Sequence, residues 1–391
     1  MSKNPRRVAV MLDLVWPYKR HAAVFAGMQQ YAESHGWHSI IDEFAHNTLQ
    51  TRHGIPLAYD GIIARANPQL VTQAARCGIP LVNVFPSLKN RHLVPGVYPD
   101  GKEVGRLCAE HFLARGFRNF ATLTSPQNRT EELAVSEFVR TAKLAGFATD
   151  TALIPQRPEL NLAHWRKTER IIDRWMHHWQ RPIGVYVGQE PIGRLVVQLC
   201  HERGWRVPED VAIIAGQNQE TFCEFPRPSL TSMEMGYERI GFEAARLLDR
   251  LMDGEPPPVE SILLPPQGLV VRESTDFFAV DDKLVAASLV FISANSHRRI
   301  GPDDVARAVG AETRTLQNYF RRVLQRPVAT EIRRVRIERA KRELAQSQRP
   351  LAEIAHDVGF GNIQQLYIVF LREVGIAPSD YRKQRMLEKR I

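Results

Sequence analysis

Two stretches near the end of the chain decide the reading: VARAVGAETRTLQNYF (305–320) and IAHDVGFGNIQQLYIVF (354–370). They are copies of one pattern. Each has a short amphipathic segment around an Ala, then a Gly, then a second segment with apolar residues at helical spacing. Ala306 answers Ala355 and Gly310 answers Gly359, at an offset of 49 residues. Leu316 answers Leu366 and Phe320 answers Phe370 at an offset of 50, so the second turn is one residue longer. Two helices joined by a tight Gly turn form a helix-turn-helix, whose second helix is built to lie in a DNA major groove.

Charge supports this. From Lys283 to Ile391 there are 21 Lys and Arg against 11 Asp and Glu, while the rest of the chain holds 31 against 32. The basic excess therefore sits with the two copies, where a polyanion would be bound. At 391 residues the chain suits two or three domains, and 44% hydrophobic residues can fill full cores. No run of 18 apolar residues occurs, so no membrane span is expected. The N-terminal MSKNPRRVAVMLDLVW reads as a strand, not a cleaved leader. Cys77, Cys108, Cys200 and Cys223 are far apart and form no CxxC pair, as expected of buried thiols in a reducing cytoplasm.

Residues 7 to about 272 alternate β-branched runs with helical stretches. The predicted strands include RVAVMLDL (7–14), WHSIIDEF (37–44), DGIIARA (60–66), IPLVNVF (79–85), NFATLTS (119–125), IGVYVG (183–188) and VAIIAG (211–216). Such alternation implies parallel sheets covered on both faces by helices. The predicted fold class is a two-lobed α/β region with doubly wound parallel sheets, followed by an all-α double helix-turn-helix domain. Ligands of open α/β sheets bind beyond the carboxyl ends of the strands. Here those loops are 13–19, 65–67, 125–129, 188–190 and 217–219.

Several segments carry a resemblance. YPDGKEVGRLCAEHFLARGFRNFATL (98–123) is similar to the crossover helix of the LacI/GalR and periplasmic sugar-binding fold. RGWRVPEDVAIIAGQN (203–218), LTSMEMGYERIGFEAARLLDRLMDG (230–254) and ILLPPQGLVVRESTD (262–276) resemble that family's later segments, the last as its final strand. The C-terminal part resembles the AraC/XylS DNA-binding domain: the two copies, a linking helix EIRRVRIERAKRELAQS (331–347) and a closing GIAPSDYR (375–382). The combination resembles the XylR-like xylose-operon regulators along essentially the whole chain. It implies an effector-binding domain over 1–276, with lobes at about 1–100 and 117–225, then a linker at 277–285 and a DNA-binding domain over 286–391.

The residues expected to face DNA are the outward ones of each second helix: Thr313, Arg314, Gln317, Asn318 and Arg321, then Ile363, Gln364, Tyr367 and Ile368. Arg pairs bidentately with guanine, Gln or Asn with adenine, and apolar groups meet thymine methyls. The Arg residues of 333–342 are expected to contact phosphate or to solvate the linking helix. Related domains usually carry Ser at the position of Glu312, and commonly Arg at that of Asn318. The operator is therefore expected to differ from that of a xylose regulator. Gly301-Pro302-Asp303-Asp304 predicts a helix start, and Asn362 with Gln365 a capping box.

The expected effector-binding residues are Asp13, Trp16, Tyr18, Arg65, Arg129, Gln189, Gln217 and Asn218. The resemblance implies Asp at the positions of Gln189 and Gln217, and an acid at that of Arg65. The replacements remove negative charge and point to an anionic or modified sugar or to some other ligand; a nearly ligand-free cleft is the alternative. Trp175 and Trp179 are expected to pack on the sheet, and adjacent His177 and His178 cannot form an i, i+4 metal pair. No HExxH, GxSxG or GxxxxGK[ST] occurs. The chain is thus expected to be no enzyme and to need no cofactor. Its expected partners are double-stranded DNA, a small-molecule effector and a second copy of itself. A constitutive DNA-binding protein whose lobes only dimerise is the alternative.

Overall fold

A computed structural model describes residues 5–14, 18–49, 59–86, 94–125, 128–155, 161–280, 282–347 and 349–383. The chain divides into two compact units. One runs to His111 and from Asn119 to Asp276; the other takes Phe112–Arg118 and the chain from Phe277 onward.

In the first unit, strands β1 (Arg7–Met11), β2 (His38–Ile41), β3 (Gly61–Ala64) and β4 (Leu81–Asn83) form a parallel sheet in the order β2-β1-β3-β4. Helices α1 (Lys19–Ser34), α2 (Ala45–Thr48) and α3 (Pro68–Cys77) connect them, and β5 (Val97–Pro99) follows. Central parallel strands are covered on both faces, so their runs are apolar throughout. Val8, Val10 and Ile63 enter one core with α1, while Ala9, Met11, Ile62 and Ala64 enter the opposite one with α2 and α3.

The second lobe holds α4 (Gly101–Ala114), β6 (Asn119–Thr124), α5 (Arg129–Leu144), β7 (Thr149–Leu153), α6 (Leu162–Met176), β8 (Ile183–Val187), α7 (Glu190–Glu202), β9 (Val211–Ala215), α8 (Glu220–Cys223) and β10 (Ser232–Glu234). Its parallel sheet has the order β7-β6-β8-β9. Trp175 and Trp179 are buried in its core, edge to face at 4.9 Å. The chain then returns to the first lobe as α9 (Tyr237–Met252) and β11 (Ile262–Leu264), which pairs parallel with β5, before β12 (Gly268–Val270) pairs antiparallel with β10. α9 crosses α1 at two glycines. A Cβ on Gly27 would overlap the Glu238 carbonyl, and one on Gly241 the Val24 carbonyl. Only glycine lets these backbones approach so closely.

Two differences from the sequence reading have physical causes. RVAVMLDL ends as a strand at Met11, because Asp13 turns into the left-handed region at φ 55°. The stretch 262–276 is not one final strand. It divides into β11, β12 and a 3-10 turn at Glu273–Thr275, split at Pro265 and Pro266, which have no N–H to donate to a ladder.

The second unit is helical: α10 (Lys283–Asn295), α11 (Pro302–Ala308), α12 (Thr313–Leu324), α13 (Val328–Gln346), α14 (Leu351–Asp357) and α15 (Ile363–Val374). Within 277–285, Phe278 and Val280 pack on the core of α10 to α12, and α10 begins at Lys283. The linking helix begins three residues earlier than predicted and has 19 residues, so it spans about 28 Å.

Candidate functional site

The two helix pairs repeat as their sequences do. Ala306 and Ala355, Leu316 and Leu366, and Phe320 and Phe370 are all buried. Gly310 and Gly359 adopt left-handed conformations at φ 68° and 91°. Four residues separate α11 from α12, and five separate α14 from α15. Pro302 opens α11, where Asp304 accepts from the Gly301 amide at 2.9 Å. Asn362 accepts from the Gln365 amide at 2.8 Å, but Gln365 reaches the Gly361 amide at 3.0 Å, not that of Asn362. The predicted capping box therefore closes one residue early.

On α12, Arg314, Asn318 and Arg321 are exposed, and Thr313 and Gln317 are half-buried. The Thr313 hydroxyl donates to Asp303 at 2.6 Å. Thr315 and Arg322 are also exposed, and the sequence reading missed both. On α15, Ile363, Gln364, Tyr367 and Ile368 are all exposed, and Leu371 extends their apolar surface. The outward faces differ. That of α12 carries three guanidiniums; α15 has no charged residue before Arg372.

Three arginines of α13, Arg334, Arg336 and Arg339, differ from the expectation of phosphate or solvent contact. Arg336 donates to three backbone carbonyls: Ser296 at 2.9 Å, Arg298 at 2.8 Å and Ile300 at 3.1 Å. Arg339 reaches the Ser293 carbonyl at 3.1 Å. Arg334 and Arg326 hold the fully buried Glu331 at 2.6 and 2.7 Å. Burial opposes ionisation of Glu331, but the bonds and charges of these two arginines outweigh it and keep its carboxyl below the ordinary range. Apolar residues of the same helix enter both cores of this unit, Ile332 that around α10–α12 and Ile337, Ala340 and Leu344 that around α14–α15.

In the first unit, the strand-end loops of both lobes converge on a cavity of about 50 Å³. Arg20, His21, Arg65 and Phe85 come from the first lobe, and Asn128, Thr130 and Gln217 from the second. Arg65 pairs with Asp13, and its guanidinium lies 4.2 Å from the centre of the Phe85 ring. Glu43 accepts from the amides of Asp13 and Leu14 at 2.9 and 3.0 Å, which fixes the loop after β1. Glu190 does the same for Gln217 and Gln219, at 2.7 and 2.9 Å. Lys19 crosses to the second lobe: its amide donates to Gln219 at 2.9 Å and its ammonium meets Glu220 and Glu234 at 3.2 and 3.3 Å.

His21 is buried, and its Nδ1 lies 2.9 Å from the Asp13 carbonyl. Burial lowers its pKa to about 4, and Arg65 and Arg20 add to the shift. Burial pushes Glu131 up to about 7, against the hydrogen bonds of Gln189 and Asn128.

Of the predicted effector residues, Arg65 and Gln217 line this cavity; Asp13 is not in the lining but pairs with Arg65, and Tyr237 donates to the Gln217 side chain. Tyr18 lies edge-on to His21 at 6.0 Å. Gln189 donates to Ser125 and Glu131, each at 3.4 Å. Asn218 is buried in the second lobe, bonded to Glu234 at 2.8 Å, Arg272 at 2.8 Å and Ser232 at 3.2 Å. Arg129 pairs with Glu132 at 3.3 Å, while its neighbours Asn128 and Thr130 line the cavity. Trp16 lies outside the described residues. Arg20 and His21, which line the cavity, were not among the expected residues, although they follow directly on the loop 13–19.

Residues 109–275 match the periplasmic binding protein-like domain family, and residues 305–384 match the helix-turn-helix domain family. The xylose operon regulatory protein of Escherichia coli strain K12 is 24% identical over 387 residues, 98% of each chain. The solved structure of the xylose-binding transcription activator xylR is similar with a TM-score of 0.60, at 23% identity over 98% of this chain and 99% of that one. The transcriptional regulator CelR in complex with cellobiose is similar with a TM-score of 0.56, at 21% identity over 69% and 85%.

Proposed function

The chain is a XylR-like regulator, a periplasmic-binding-protein-like region followed by an AraC-type helix-turn-helix region, and we propose that a small molecule, a sugar or sugar derivative, bound between its lobes controls sequence-specific DNA binding. Residues 1–276 sense the effector, and 286–391 read DNA through the outward faces of α12 and α15, in the cytoplasm and as a homodimer. The observation that carries this is the shared cavity. Arg20 and Arg65 come from one lobe, and Asn128 and Gln217 from the other. An occupant touching both lobes favours one degree of closure, and it shifts the equilibrium only by its differential affinity for the two states.

The test is a thermal-shift screen of the full chain against pentoses, hexoses, uronates and sugar phosphates, followed by footprinting with any hit. A bound effector raises the melting temperature by mass action, and the reading requires that it also change the footprint.

A second reading rests on the same cleft. The cavity is small, and Lys19 already joins the lobes through Glu220 and Glu234. On that reading the protein binds DNA constitutively and the lobes serve only for dimerisation. No compound would then move the melting temperature.

A further inference from the structure

We propose that the effector carries an anionic group, a carboxylate or phosphate on a sugar-sized frame, and that Arg20 binds it with Arg65 beside it. This rests on the cleft being an effector site.

Among the described residues lining the cavity there are two guanidiniums, Arg20 and Arg65, and no carboxylate. A neutral sugar is held best by carboxylates, each of which accepts two hydroxyl protons. Here the nearby carboxylates are committed elsewhere. Glu43 and Glu190 accept from backbone amides of the loops after β1 and β9. Asp13 pairs with Arg65, and Glu234 is held by Asn218 and Lys19. Glu131 is buried and accepts from Asn128 and Gln189.

Arg20 is held along one edge. His21 donates from Nδ1 to the Asp13 carbonyl at 2.9 Å, so its Nε2 carries the lone pair. That lone pair accepts Nε–H of Arg20 at 3.3 Å. The Tyr18 ring lies against the same guanidinium, 4.8 Å from its carbon. Burial keeps His21 neutral and so keeps this acceptor in place. Among the described residues, the two terminal nitrogens of Arg20 meet no hydrogen-bond acceptor. A guanidinium fixed through Nε, with its other edge open to a cavity, matches a two-oxygen anion.

The experiment is isothermal titration of the full chain with matched ligands: D-xylose against D-xylonate, and D-glucose against D-glucuronate and D-glucose 6-phosphate. Sulfate serves as a bare anion, and the acid and phosphate arms separate the two anion sources. At least one anion is expected to bind at least about tenfold more tightly than its neutral counterpart, and to weaken as salt is added. Arg20→Gln is expected to remove that preference, and Arg20→Lys, which keeps the charge but loses the fork, to restore part of it. Melting temperatures of both variants check that they fold. If a neutral sugar binds as tightly as its acid, or Arg20→Gln leaves the acid's affinity unchanged, the proposal is overturned while the sensor reading stands. If no compound binds up to about 10 mM, sulfate included, both fall.

Discussion

Gly359 is seated on the carbonyl of Ser296. A Cβ at Gly359 would overlap that oxygen and come within 2.8 Å of Arg336 Nε. The turn of the second helix pair thus rests on the chain just after α10, beside the arginine that satisfies the same carbonyl. This contact seats the second helix pair's turn on the segment that leads into the first.

Gly359→Ala meets both a left-handed φ and a backbone oxygen, so it is expected to destabilise the helical unit by about 2–4 kcal/mol. Gly310, its counterpart in the first copy, has a similar φ but nothing within 4 Å of a Cβ. Gly310→Ala should cost only the conformational strain, about 1–2 kcal/mol. Urea denaturation of both variants measures the difference. Equal losses would show that the Ser296 contact contributes nothing.

Arg336→Ala leaves three partly buried carbonyls without their charged donor, at a cost of about 1–3 kcal/mol. DNA affinity should fall because the two helix pairs lose their common brace. The dependence of affinity on salt should not change, since this arginine's donors face protein carbonyls. A salt slope reduced by about one would return Arg336 to the phosphate-contact role its sequence suggests.

That example marks the limit of what was legible in the sequence. The repeated helix pairs were plain, because helical periodicity and a turn glycine are local signals. The alternating sheets were plain for the same reason, apart from β7, whose TDTAL at a sheet edge has no apolar run to mark it. The roles of the α13 arginines were not legible. An exposed and a carbonyl-bound arginine look alike until the partner 40 residues away is placed. The cleft behaved similarly. Asn218 and Gln217 are neighbours, yet one is bonded inside its lobe and the other lines the cavity.

The two reading helices should fail in different ways. Arg314→Ala on α12 removes an exposed guanidinium and is expected to weaken specific binding by about 1–3 kcal/mol, relaxing the preference at one base pair. Ile368→Ser on α15 removes a side chain that is 64% exposed, with no charge. It should lower affinity by about 1 kcal/mol at T-rich positions and leave the salt slope unaltered. Binding to a randomised operator library, read at two salt concentrations, separates them. A uniform loss across all sequences for Arg314→Ala would make it a phosphate contact.

Glu131 and His21 titrate in opposite senses, so their effects on stability oppose each other. Glu131 has its folded pKa raised from 4.5 to about 7. Its contribution is present below pH 4.5 and is lost as pH rises through 7. His21 has its folded pKa lowered from 6.5 to about 4. Its contribution is present above pH 6.5 and is lost as pH falls through 4. Each is worth about 3 kcal/mol, and between pH 4.5 and 6.5 they nearly cancel. The oxygen of Gln can still accept from Asn128 and Gln189, so Glu131→Gln should fold and leave His21 unopposed. Its stability should then climb steeply from pH 4 to 6.5, while the parent chain changes little over the shared window. His21→Asn should show the reverse, losing stability from pH 4.5 to 7. Urea midpoints at half-unit pH steps decide the matter: if Glu131→Gln tracks the parent chain throughout, the buried carboxyl titrates normally.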